Sequence, residues 1–221
     1  MLEKKHKIKP PSLPFTLNIA VDNLCKNEFD HYRDIQEPHP SFIQNGIEAV
    51  PFKHKNLDVW RSNYKGIRYK SSSFNYDFGG AVDDVWEKKN GDLIIVDVKA
   101  TAKNNFNWYE TFEKYDYAKA YKRQLEMYQW LFKKNGFNVS KEAYLLYFNA
   151  KKNEKFFNNQ LKFEHHYIKL DCSTLWVESK ILETVELLRD NKMPQPSLNC
   201  EYCNYLKKRW QLSKSINQIY N

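Results

Sequence analysis

The chain has 221 residues, enough for one domain of ordinary size with small appendages. Its 42% hydrophobic content supports a full core, and no apolar run approaches the length needed to cross a membrane. A net charge of +8, with 15 Tyr, 14 Phe and 6 Trp among the basic residues, disfavours basic partners and suits a polyanion such as nucleic acid. The opening residues, MLEKKHKIKPPSLP, are charged and then proline-rich, without the apolar stretch of a signal peptide. A soluble, cytoplasmic protein is therefore expected. Four cysteines, two of them close together, do not form a secreted disulfide framework.

In chain order, residues 17–33 place Leu17, Val21, Leu24, Cys25, Phe29 and Tyr32 at helical spacing, and Pro38 and Pro40 end that helix. A mixed stretch of loops or a short helix follows. From Gly66 the pattern turns to strands: IRYKSS, then FNYDFGGAVDDVWE, a turn at Lys89-Asn90-Gly91, and DLIIVDVKAT. Residues 102–110 read as a loop rich in Asn and aromatics. A long helix is expected over 111–134, stopped by Asn135-Gly136. EAYLLYFNA and LKFEHHYIKL are two further strands, joined by a polar connection containing Lys151-Lys152-Asn153. Ser173 or Thr174 caps a helix running to about Asn191, which Pro194 and Pro196 prevent from continuing. These elements make one mixed α/β domain over 1–221. Residues 1–65 form its helical N-terminal part and 198–221 a basic, aromatic tail.

The segment GAVDDVWEKKNGDLIIVDVKAT carries acids where burial should exclude them. Residues i and i+2 of a strand share a face, so Asp97 and Lys99 point the same way. With a two-residue Asn90-Gly91 turn, Asp97 faces Asp84. With a three-residue Lys89-Asn90-Gly91 turn it faces Asp83. The second form needs a left-handed residue at its end, which Gly91 supplies, and is preferred, though both registers remain open. In either, two carboxylates lie one strand spacing apart beside a lysine, an arrangement that a divalent cation makes tolerable. Such a cation can acidify water and polarise a phosphodiester, while the lysine orients that water or offsets charge on phosphorus.

Three motifs in this order resemble the RecB-like branch of the PD-(D/E)xK nuclease superfamily. They are Gly80-Ala81-Val82-Asp83 as G-x-x-D, Asp97-Val98-Lys99 as D-x-K, and Gln124 to Tyr128 as Q-x-x-x-Y. Gln124 and Tyr128 share a helix face with Ala120 and Leu131, a face able to pack on the sheet. The resemblance implies a restriction-endonuclease-like core, a central mixed sheet flanked by helices. It also implies Asp83 and Asp97 as ligands of Mg²⁺ or Mn²⁺, the Val98 carbonyl as a further ligand, and Lys99 as the catalytic lysine, with Gln124 and Tyr128 completing the site. Related nucleases often add an upstream histidine. His39 and His54 are the candidates here, and His54 is preferred because Gly46-Ile47-Glu48-Ala49 before it suits a short helix facing the site.

Cys200-Glu201-Tyr202-Cys203 has the spacing of one arm of a zinc or iron–sulfur site. Some RecB-like exonucleases, the CRISPR-associated ones included, close an iron–sulfur cluster between N- and C-terminal cysteines. This chain departs from that pattern: Cys25 falls on an apolar helix face and Cys172 in a strand-to-helix turn. The pair then reads as a remnant or as plain packing. The leading expectation is a metal-dependent DNA nuclease, exonuclease-like, acting on single strands or ends. The alternative is a non-catalytic DNA-binding or complex-assembly module on the same fold.

Overall fold

The computed structural model describes residues 16–190, 192–198 and 200–219. Its contacts form one compact unit over Ser12–Leu182 and a second that holds the chain from Glu183 onward. Helix α1 (Thr16–Ile35) buries Val21, Cys25, Phe29 and Arg33, a stripe of strict i, i+4 spacing. Helix α2 (Pro40–Gln44) starts at a proline behind His39, whose ring nitrogen accepts the Ser41 N–H. Strand β1 (Ala49–Pro51) and helix α3 (Leu57–Arg61) follow. The N-terminal part is thus not wholly helical, and the short helix expected over 46–49 is replaced by a turn at Gly46 leading into an edge strand.

Strands β2 (Ile67–Ser71) and β3 (Tyr76–Gly80) pair antiparallel as a separate ribbon. Strand β4 (Asp84–Lys88) belongs to the main sheet. The run expected as one strand from Phe74 to Glu87 is therefore two, parted at Ala81–Asp83, where the Val82 N–H turns to the carbonyl of Trp60 at 3.1 Å. Strand β5 (Leu93–Thr101) returns antiparallel to β4 with Asp84 opposite Val96. That is the register of the three-residue turn, closed by Lys88 N–H to the Asp92 carbonyl at 3.0 Å with Gly91 at φ +83°. The Lys88 ammonium goes not to Asp92 but to Glu142 at 2.6 Å.

Helices α4 (Trp108–Lys114) and α5 (Asp116–Lys134) stand where one long helix is expected. The break is Tyr115, extended at φ −122°, ψ 125°, whose ring stacks on Tyr117 and lies 5.0 Å from the Lys103 ammonium. Helix α5 ends at Asn135-Gly136 as expected, with Gly136 at φ +86°. Strand β6 (Val139–Ala150) pairs parallel with β5, and β7 (Phe163–Asp171) pairs antiparallel with β6. The main sheet has the order β1-β4-β5-β6-β7.

One face of that sheet packs Ile94, Val96, Tyr144 and Leu146 with Trp86 against Cys25 and Phe29 of α1. The alternate residues of β5 face α5, where the Lys99 ammonium lies 4.7 Å from the ring centre of Tyr121. Helix α6 (Val177–Arg189) follows β7, and Asn191 lies outside the described residues. In the second unit, helix α7 (Glu201–Ile219) occupies the expected tail. Among the described residues no helix is long and apolar enough to cross a membrane.

Candidate active site

The site begins where the chain enters β4: Asp84 opens the strand, and Asp83 just before it turns the opposite way. Asp84, 1% exposed, turns toward α1. It is paired with the Arg33 guanidinium and with Arg61 at 2.9 Å, and it accepts the Val85 N–H at 2.8 Å. Asp30 completes the group by receiving two N–H bonds from Arg61. Two acids and two arginines balance, which is how a buried carboxylate is tolerated. Burial lowers the Arg33 pKa despite Asp84, whereas at Arg61 the effect of burial is outweighed by Asp84 and Asp30. Asp84 therefore ties β4 to α1 and α3.

Asp83 turns the other way, into a cleft of about 610 Å³ shared with Asp97 and Lys99. One Asp83 oxygen accepts the Val98 N–H at 2.7 Å, fixing it across the end of the hairpin from Asp97. Burial and the Asp97 charge push the Asp83 pKa up to about 7, with Lys99 pulling against them. Burial also raises Asp97, again opposed by Lys99. At Lys99 burial disfavours the ammonium, but Asp97 and Asp83 outweigh it and hold the pKa above its ordinary value. The ammonium pairs with Oδ2 of Asp97, a fully buried oxygen. Two acids against one ammonium leave the cluster one cation short of neutrality. Among the described residues no three His, Cys, Asp or Glu side chains converge as a closed metal cage. The donor set instead suits a hard divalent ion held by one or two carboxylates and completed by water and substrate oxygens.

Helix α5 closes the cleft. Gln124 donates its amide N–H to the Tyr128 hydroxyl at 2.7 Å, and both line the cleft with Tyr121. Burial raises the Tyr128 pKa to about 12, with the Gln124 bond pulling the other way. The Tyr128 ring lies on Gly80, where an added Cβ would overlap its Cε1 atom. The glycine of G-x-x-D and the tyrosine of Q-x-x-x-Y thus need each other. Ala120, expected on the packing face, is exposed; Ala118, Leu125 and Gln129 are buried instead.

The structure brings Asp83, Asp97, Val98, Lys99, Gln124 and Tyr128 together around one cleft. It directs the histidines elsewhere. His54 stacks on Trp60 with ring centres 4.4 Å apart, accepts the Asn56 N–H, and does not line the cleft. Burial holds its pKa below the usual value. His39 caps α2 and meets Glu28 at 2.8 Å. Asp22 of α1, which sequence reasoning missed, lines the cleft instead. Its Oδ2 pairs with Lys26 at 2.6 Å, while Oδ1 is buried without a hydrogen bond among the described residues. Its charge adds to the upward push on both Asp83 and Asp97. An acid beside a helix's apolar stripe, with lysine four residues on, looks in sequence like an ordinary surface pair.

Cys25 and Cys172 are buried thiols, the latter raised to about 12 by burial. Cys200 and Cys203 lie in the second unit, where the Cys203 N–H points at the Cys200 sulfur at 3.4 Å. All four thiols are free.

A five-stranded mixed sheet between helices, with an acid pair and a lysine at the open end of its central hairpin, is a restriction-endonuclease-like core. The sequence model of the PD-(D/E)XK nuclease superfamily matches residues 9–207, and the chain belongs to that superfamily. A comparison with curated proteins finds no match. Membership implies a nucleic acid substrate.

Proposed function

We propose that this protein is a divalent-metal-dependent DNA nuclease of the RecB-like kind, hydrolysing phosphodiester bonds from the ends of strands. The observation that carries the reading is the buried carboxylate of Asp97 set beside Asp83, with the single ammonium of Lys99 against both. Asp83, Asp97 and the Val98 carbonyl would hold Mg²⁺ or Mn²⁺, which when bound supplies acidity to water and neutralises phosphate charge. Lys99, held protonated by its acids, orients the attacking water and offsets charge building on phosphorus. Gln124 and Tyr128 present an amide and a phenol to the same cleft and position the backbone of the strand. Asp22 adds a third carboxylate at the cleft wall.

The test is cleavage of labelled linear and circular DNA with Mn²⁺ or with chelator. Lys99→Ala and Asp97→Ala are each expected to lower the rate by at least about 100-fold while leaving DNA binding and melting temperature near wild type. An end-directed enzyme spares circular DNA. Equal cleavage by wild type and both variants removes the assignment.

A further inference from the structure

The connection between β6 and β7, KKNEKFFNNQLK over residues 151–162, is exposed along its whole length. Phe156 and Phe157 are 65% and 69% exposed, and the Lys155 ammonium lies 5.3 Å from the ring centre of Phe156. Side chains of this kind normally bury themselves. Here the backbone displays them. The base of the arm is closed by Lys151 N–H to the Lys162 carbonyl at 2.8 Å, and its tip by Gln160 N–H to the Phe157 carbonyl at 2.9 Å. The two residues between, Asn158 and Asn159, are both left-handed, at φ 47° and 55°, as a tight hairpin turn requires.

The arm holds four lysines against one glutamate. Lys151 pairs with Glu164 and Lys162 with Glu154, which leaves Lys152 and Lys155 without an ion pair among the described residues. Its place in the fold is specific. Strands β5 and β6 run parallel, so the arm leaves the sheet at the end where Asp97 and Lys99 stand. Asn149, at the root of the arm, accepts the Lys103 N–H at 2.8 Å and donates to the Lys103 carbonyl at 3.1 Å. Lys103 lines both the acid cleft and a second hollow walled by Lys151 and Lys152. The cleft and the arm are therefore joined through one residue.

We infer that this arm grips an unpaired stretch of nucleic acid beside the cleft, an inference that rests on the nuclease reading above. Bases stack on Phe156 and Phe157, and Lys152 and Lys155 neutralise the phosphates between them. A paired duplex hides its base faces, so the arm discriminates for single strands or frayed ends.

The experiment measures anisotropy of a labelled oligothymidylate and of a blunt duplex with the full chain under chelation, so that nothing is cleaved. Phe156→Ala and Phe157→Ala are each expected to weaken single-strand binding about 10-fold with duplex binding unchanged. Lys152→Ala combined with Lys155→Ala lowers the slope of log affinity against log salt by about 1.4. All three variants should melt as wild type does, since the arm buries nothing. Unchanged single-strand affinity, or an equal loss for duplex, overturns the inference. So does binding to anionic vesicles that the phenylalanine variants abolish while oligothymidylate binding persists. Cleavage that needs Asp97, with the arm variants binding as wild type, refutes the arm and leaves the nuclease reading intact.

Discussion

At the scale of single residues, the site is a cluster of charges under tension. Asp83 titrates near 7 in the folded chain against an ordinary value of 3.8. The folded state therefore binds this proton more tightly than the unfolded state does. Stability from the protonated form is full below about pH 4 and is lost as pH rises through about 7. Metal-free protein should accordingly melt at lower temperature at pH 8 than at pH 5. Asp83→Asn, which can still accept the Val98 N–H, should remove most of that slope and raise the melting temperature at pH 8 by several degrees, at about 2–4 °C per kcal/mol. Calorimetric scans across pH under chelation check this, and a flat wild-type profile contradicts it. Asp84 is the contrast. Its charge is matched by Arg33 and Arg61, so it serves position and not chemistry. That division between neighbouring acids follows from the opposite directions they take where the chain enters β4, and which of the two would face Asp97 depended on the turn.

At the scale of elements, the contact between β3 and α5 links two motifs more than forty residues apart in the chain. Each motif alone is weak, since glycines and helical tyrosines are common. Their meaning is mutual: the Tyr128 ring occupies the space a Gly80 side chain would need. Gly80→Ala should therefore destabilise by about 1–3 kcal/mol and displace Tyr128 from the cleft. Combining it with Tyr128→Ala should recover part of the stability, giving a coupling energy well above the roughly 0.5 kcal/mol of independent sites. Denaturant titration of the four proteins measures it, and simple additivity would refute the contact. The two-helix form of residues 108–134 belongs to this scale as well. Periodicity along the sequence runs on through Tyr115, because the Lys103 cation over its ring comes from before the helix, and the local stack with Tyr117 leaves no mark on the apolar spacing.

At the scale of the molecule, the sheet brings a hairpin, a helix and a parallel strand to one end, and the charge left over there is negative within a chain of net charge +8. On the proposed function, this local excess of acid is where a divalent cation would sit, beside a basic surface that attracts a polyanion. Mn²⁺ at about 100 times its dissociation constant should stabilise wild type by about 2.7 kcal/mol at pH 8, and Asp97→Asn should lose that shift. Thermal melting with and without Mn²⁺ reads it out. An equal shift in Asp97→Asn would place the ion elsewhere.

Sequence by itself determined the helix of residues 17–33, the hairpin and its acids, the stop at Asn135-Gly136, and the three motifs, because each depends on local periodicity, turn geometry or spacing. It also gave the preferred hairpin register, since a left-handed glycine at one position favours one turn. Tertiary structure alone decided that Asp22 of α1, and neither His39 nor His54, stands at the cleft, and that one apparent strand is two. Those outcomes depend on how helices pack across the sheet and on which distant groups can neutralise a buried charge. No window along the chain contains that information.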